Sequence, residues 1–135
     1  MKRLILGTLV ALLTTFVLVG CGSDDDTVVI SERFFANEMQ EVVLNHQQYL
    51  GRTIQFEGMF RTISVSDVDR FLVMRYHDGC CGEEPVGLEV ILGDFEPFAQ
   101  DAWVEVTGIL EVAGGFLVLE VTNIRELSVR GREVI

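Results

Sequence analysis

Positive charge is what this sequence has least of. Lysine occurs once, as Lys2, and ten basic residues face 21 acids, for a formal net charge of −11. A field of that sign repels phosphate backbones and anionic head groups, so it argues against nucleic acid as a partner and favours loosely held cations. Cysteine is also scarce: there are three, Cys21, Cys80 and Cys81. Cys80 and Cys81 are adjacent, so with Cys21 taken up by a lipid, as read below, no long-range disulfide staple can form within one chain. A Ser-His-Asp arrangement, a phosphate-cradling glycine loop, a dinucleotide fingerprint and internal repeats are all missing. The pairs Glu32 and Glu38, or Glu89 and Glu105, alternate with apolar residues as the wet face of an amphipathic element does, which is no catalytic pattern. The chain therefore reads as non-enzymatic, and its 135 residues, 49% of them hydrophobic, suit one domain with one modest core.

What is present begins with an export signal. Lys2 and Arg3 form a basic start, Leu4 to Val19 is apolar, and Leu18-Val19-Gly20-Cys21 follows. The pattern resembles the lipobox of bacterial lipoproteins, in which cleavage before the cysteine frees it for acylation. Residues 1–20 are then a lipoprotein signal peptide, Cys21 is the lipidation site, and 21–26 is an acidic tether with nothing apolar to pack. Each buried methylene contributes about 0.8 kcal/mol, so several acyl chains hold a protein at a membrane without a spanning helix. The expectation is an extracytoplasmic, membrane-anchored protein, and removal of the leader leaves eight arginines against the 21 acids.

Residues 27–135 form the domain. Thr27 to Ile30 is a short β-branched run, and Ser31-Glu32 marks a helix start. Phe34, Phe35, Met39, Val42 and Val43 follow at helical spacing, which predicts an amphipathic helix over 32–45 that ends in a polar turn at Gly51. Beyond Gly51 the period becomes two. Strands are expected over 53–61, with Ile54, Phe56 and Met59 or Phe60 inward, and then over 71–76, 86–92, 103–112 and 116–124. Ser64 to Asp69 reads as a polar link. Gly93 to Phe98 reads as a turn with a short helical piece whose two phenylalanines plug the core. Ala113-Gly114-Gly115 reads as a tight hairpin, and Arg125 to Ile135 as an edge extension or a frayed end. Gly58 and Gly108, each mid-strand, suggest bends. The fold class is mainly β: a small five-stranded OB-like barrel with an N-terminal amphipathic helix.

One stretch is not explained by packing. Arg75-Tyr76-His77-Asp78-Gly79-Cys80-Cys81-Gly82-Glu83-Glu84-Pro85 gathers two thiols, an imidazole and three carboxylates, and it reads as a loop that interrupts the sheet. Adjacent strand residues point to opposite faces, so both thiols can serve one metal only if the backbone turns, which Gly79 and Gly82 permit. Three readings stand side by side. Cys80 and Cys81, completed by Glu84, Glu83 or His77, form a metal set for zinc or another transition metal. Alternatively the pair undergoes thiol exchange, which negative neighbours hinder and the nearby Arg75 partly offsets. The third is a strained disulfide turn, or the docking edge of a module that binds an envelope protein, with the acids serving only to solvate it.

Glu41 to Arg61, including Asn45, Tyr49-Leu50-Gly51-Arg52-Thr53-Ile54 and Glu57-Gly58, then Arg75-Tyr76, Cys80-Cys81, Val86-Gly87-Leu88 and Trp103 to Gly108, resemble the soluble domain of the YcgQ-type family of bacterial membrane proteins. That resemblance implies a helix plus an OB-like barrel and a membrane permease as companion. In that family two cysteines are followed two residues later by aspartate, a place Glu84 holds here, and membrane helices stand where this chain has a lipidation signal.

Overall fold

The computed structural model describes residues 26–135; the leader 1–20, Cys21 and the tether as far as Asp25 lie outside them. The elements in order are β1 (Val28–Val29), α1 (Phe35–Leu44), a single 3₁₀ turn (His46–Gln48), β2 (Thr53–Val65), β3 (Val68–Gly79), β4 (Gly82–Ile91), β5 (Trp103–Ala113) and β6 (Phe116–Glu126). Together the last five strands close.

Closure depends on β2, whose first half pairs antiparallel with β5 and whose second half pairs with β3. The switch falls at Met59, opposite both Trp103 and Met74. Beside it Gly58 is a necessity, since a β-carbon there would stand 2.8 Å from the Met74 carbonyl oxygen. β3 continues to β4, β4 meets β6 in parallel, and β6 returns to β5 with a bulge at Thr107/Gly108. The cyclic order β2-β3-β4-β6-β5, closed by β2 with β5, is that of an OB-like five-stranded barrel, with β1 added parallel to β2.

The core is made where the period-two pattern points inward: Ile54, Phe56, Phe60, Val73, Leu88, Val106 and Leu110 are buried together. α1 caps it with Phe35, Met39 and Val42, spaced as one helical face. The helix starts later than the sequence suggests. Ser31 does not cap it; its N–H donates to Glu38 Oε2 at 2.6 Å, while Glu32 reaches forward to the chain's last residues. Phe34 and Val43 therefore fall on the exposed flank.

Two expectations change, and a third settles on one of its two alternatives. Ser64 to Asp69 is no link but the end of a hairpin: Ser66 and Asp67 take φ 52 and 62, a two-residue turn that keeps β2 and β3 paired to Val65 and Val68. Gly93 to Phe98 forms no helix, and only Phe98 packs on the core, edge-on to Phe60 at 5.7 Å, while Phe95 stays exposed. The tail past β6 is docked as an edge extension, with Val134 bridging Tyr76 in parallel.

Candidate functional site

β3 and β4 form one ladder from Phe71 opposite Val90 out to Gly79 opposite Gly82. The cysteines are thus not in a loop that interrupts the sheet; they are the two central residues of a tight turn at its end. Proline, usually a strand breaker, is accommodated because of what it faces. Pro85 lies opposite Tyr76, whose N–H donates away from it to the Glu133 carbonyl at 2.8 Å and whose carbonyl accepts from the Ile135 N–H at 2.9 Å. No ladder partner misses the absent N–H of Pro85. Gly82 leaves the turn at φ 124, a value side chains disfavour.

The turn brings both thiols, free and exposed, to a sulfur separation of 3.4 Å. It also sorts the remaining candidates by face. His77 is opposite Glu84, and Asp78 is opposite Glu83. By alternation His77 and Glu84 share the face of Val73 and Leu88, whereas Asp78 and Glu83 share the other. Glu84 lies over Gly79, where an added β-carbon would meet its Oε1 at 2.9 Å. His77 Nδ1 lies 3.2 Å from the Ile135 carbonyl.

Of the five residues expected as ligands, Cys80, His77 and Glu84 therefore face a common groove, about 530 Å³ in volume, between the hairpin and α1. Cys81 is tied to it through Cys80, and Glu83 stands apart with Asp78. Among the described residues no three His, Cys, Asp or Glu side chains stand close enough together to hold a metal ion. What the turn does bring together is the sulfur pair.

Arg75, expected as a counter-charge for the thiols, is instead buried in the barrel end, 1% exposed. Its inward direction follows the alternation Phe71, Val73, Arg75, a signal legible in sequence once the strand is known. The guanidinium lies 4.8 Å from the ring centroids of both Phe35 and Trp103. It donates from Nε to the Glu57 carbonyl at 2.8 Å and from Nη1 to the Arg132 carbonyl at 3.3 Å, and pairs with Glu32 at 3.5 Å. Burial pulls its affinity for the proton down, and Glu32 and Glu57 pull it back up. The Arg132 N–H bonded to Glu32 at 2.6 Å, with Arg75 nearby, holds that carboxyl below its ordinary value. Arg75 and Glu32 thus fasten the tail across the barrel end, and the tail in turn flanks the base of the cysteine hairpin.

The family model described as the DUF1980 C-terminal domain matches residues 18–129. Among solved structures, the N-terminal domain of PriB protein from Thermoanaerobacter tencongensis is similar at 9% identity and a TM-score of 0.33, over 56% of this chain and 94% of that one. The second OB-fold domain of replication protein A from Methanococcus maripaludis is similar at 22% identity and a TM-score of 0.26, over 59% and 86%. No curated protein matches the chain.

Proposed function

The chain belongs to the DUF1980 C-terminal domain family, and from that premise we propose that it is a non-enzymatic, membrane-tethered lipoprotein whose Cys80-Cys81 turn binds a transition metal outside the cytoplasm. The observation that carries this reading is the sulfur pair, exposed and 3.4 Å apart. Two thiolates on one tetrahedral zinc, each about 2.3 Å from it, stand roughly 3.8 Å apart. A shift of a few tenths of an ångström adapts the turn to that geometry, whereas a disulfide requires the sulfurs to close to about 2.05 Å.

Glu84 is the nearest candidate for a third ligand, since its carboxylate already lies over Gly79 at the root of the turn. His77 is a candidate for the fourth: with the Nδ1 proton directed to the Ile135 carbonyl, Nε2 keeps its lone pair for a metal. Asp78 and Glu83 add charge from the far face without joining the set. Acids around thiols hinder nucleophilic exchange and help hold a cation, which favours metal over redox chemistry. The lipobox pattern at Cys21 supplies the tether in this reading, and the YcgQ-type resemblance supplies a membrane permease as the proposed partner.

Metal content decides it. Full-length protein purified under reducing conditions is expected to carry close to one equivalent of zinc or copper per chain, and the Cys80→Ser/Cys81→Ser double variant next to none. Equal, negligible metal in both removes the reading. The anchor is tested separately by incorporation of a labelled fatty acid, expected in the wild type and lost in Cys21→Ser.

A further inference from the structure

The groove at the cysteine turn is far larger than a bare ion needs. Its volume, about 530 Å³, lies inside the several-hundred-Å³ range of small-molecule sites. α1 supplies one wall with Ala36, Met39 and Val43, and β4 supplies the other with Pro85 and Val86. Those five residues are apolar, while Asn37 and Gln40 add polar atoms to the α1 side. The groups able to bind a cation lie together on the hairpin side: Cys80, His77 and Glu84. Among the described residues neither lysine nor arginine lines the groove.

A sulfur pair fills two positions on a metal that takes four ligands, and among the described residues no third His, Cys, Asp or Glu completes a preformed set. Glu84 and His77, the candidates for the other two positions on a bare ion, are not assembled into a set among the described residues, so a chelator that travels with the metal can supply those donors in their place. Resting on the metal reading above, we infer that the ligand of this site is a metal chelate: a transition metal held by a small, neutral, largely apolar organic chelator. The metal sits at Cys80 and Cys81, and the chelator's body lies along the groove between α1 and β4. On binding, each thiol releases its proton to solvent, two waters leave the metal, and no electron is transferred. The absence of basic residues and the presence of Glu84 select against anionic chelators, whose charge has nothing to meet.

The experiment compares two probes, zinc alone and its one-to-one complex with 1,10-phenanthroline, titrated calorimetrically into reduced full-length protein in detergent micelles, with protein-free micelles as the blank. The chelate is expected to bind about tenfold tighter than zinc, the effect of covering some 55 Å² of apolar surface. Ala36→Trp fills the groove and Val43→Gln makes its wall polar. Both are expected to abolish the preference for the chelate while the affinity for zinc alone stays as in the wild type, which also shows that these variants fold. Cys80→Ser/Cys81→Ser loses both probes. Zinc binding without any preference for the chelate, or a preference that survives both groove variants, overturns the inference and leaves the metal reading standing. No binding of either probe overturns both.

Discussion

Arg75 shows how one residue can tie distant parts of a small barrel together. Its guanidinium lies against two aromatic rings and meets acceptors from β2, the segment before α1 and the tail, so removing it strands several groups at once. Arg75→Met keeps volume and loses every donor. A destabilisation of about 3 kcal/mol is expected, read as a lower urea midpoint, because breaking a buried pair leaves its partners uncompensated. Arg75→Lys is expected to recover little of this, since an ammonium cannot lie flat against two rings while bonding two carbonyls. Glu32 carries the pH dependence of the same junction. Its folded value lies below the ordinary 4.5, chiefly through the Arg132 N–H and then through the charge of Arg75. A depressed carboxyl stabilises fully above its unfolded value and loses that contribution as the pH falls through the folded one. Docking of the tail should therefore weaken below about pH 4.5, and Glu32→Gln should flatten that part of the acid-unfolding curve; an unchanged slope would count against the junction. The direction of Arg75 was legible in its two-residue spacing from Val73. Its partners were not, because Glu32 and Arg132 lie far from it along the chain.

At the scale of elements, the β3–β4 hairpin is longer than local preference suggests. Glycine and proline are depleted in strands, so Gly79, Gly82 and Pro85 read as a loop in sequence. They pair because Tyr76 finds its hydrogen bonds in the tail at Glu133 and Ile135, and a tail that joins a sheet so far back along the chain is a non-local event. Two consequences can be measured. Deleting residues 128–135 should expose the Tyr76 and Asp78 amides to rapid hydrogen exchange, since they donate to Glu133 and Ile135, while the Phe56 amide, deep in the barrel, keeps its protection. Gly58→Ala should destabilise by about 1–3 kcal/mol in thermal or urea unfolding, because the new carbon meets backbone oxygen that cannot turn aside. That cost was foreseeable from a mid-strand glycine; the atom it would strike was not.

For the whole molecule, net charge bears on which partners the surface attracts. Among the described residues six arginines are engaged with acids, in the pairs Arg52–Asp26, Arg61–Asp101, Arg70–Glu89, Arg75–Glu32, Arg125–Glu105 and Arg130–Glu133. Little cationic surface is left for phosphate. Fluorescence anisotropy of a labelled single-stranded oligonucleotide is accordingly expected to stay flat on adding the protein, even at low salt where electrostatic attraction is strongest; a salt-sensitive rise would refute this. The sequence by itself determined the mainly β class, the number of barrel strands, the part of α1's buried face that Phe35, Met39 and Val42 form, the irregularity at Gly108, the acidic field and the presence of two thiols between framing glycines. These follow from periodicity, turn chemistry and composition, which act over a few residues or over the chain as a sum. Only the tertiary structure decided that His77 and Glu84 share a face while Glu83 turns away, that α1 and β4 leave a groove beside Cys80, and that the tail locks over Arg75. Each of these depends on strand register and on packing between segments distant in the chain, and a change of register by one residue would reverse every face on which the site is built.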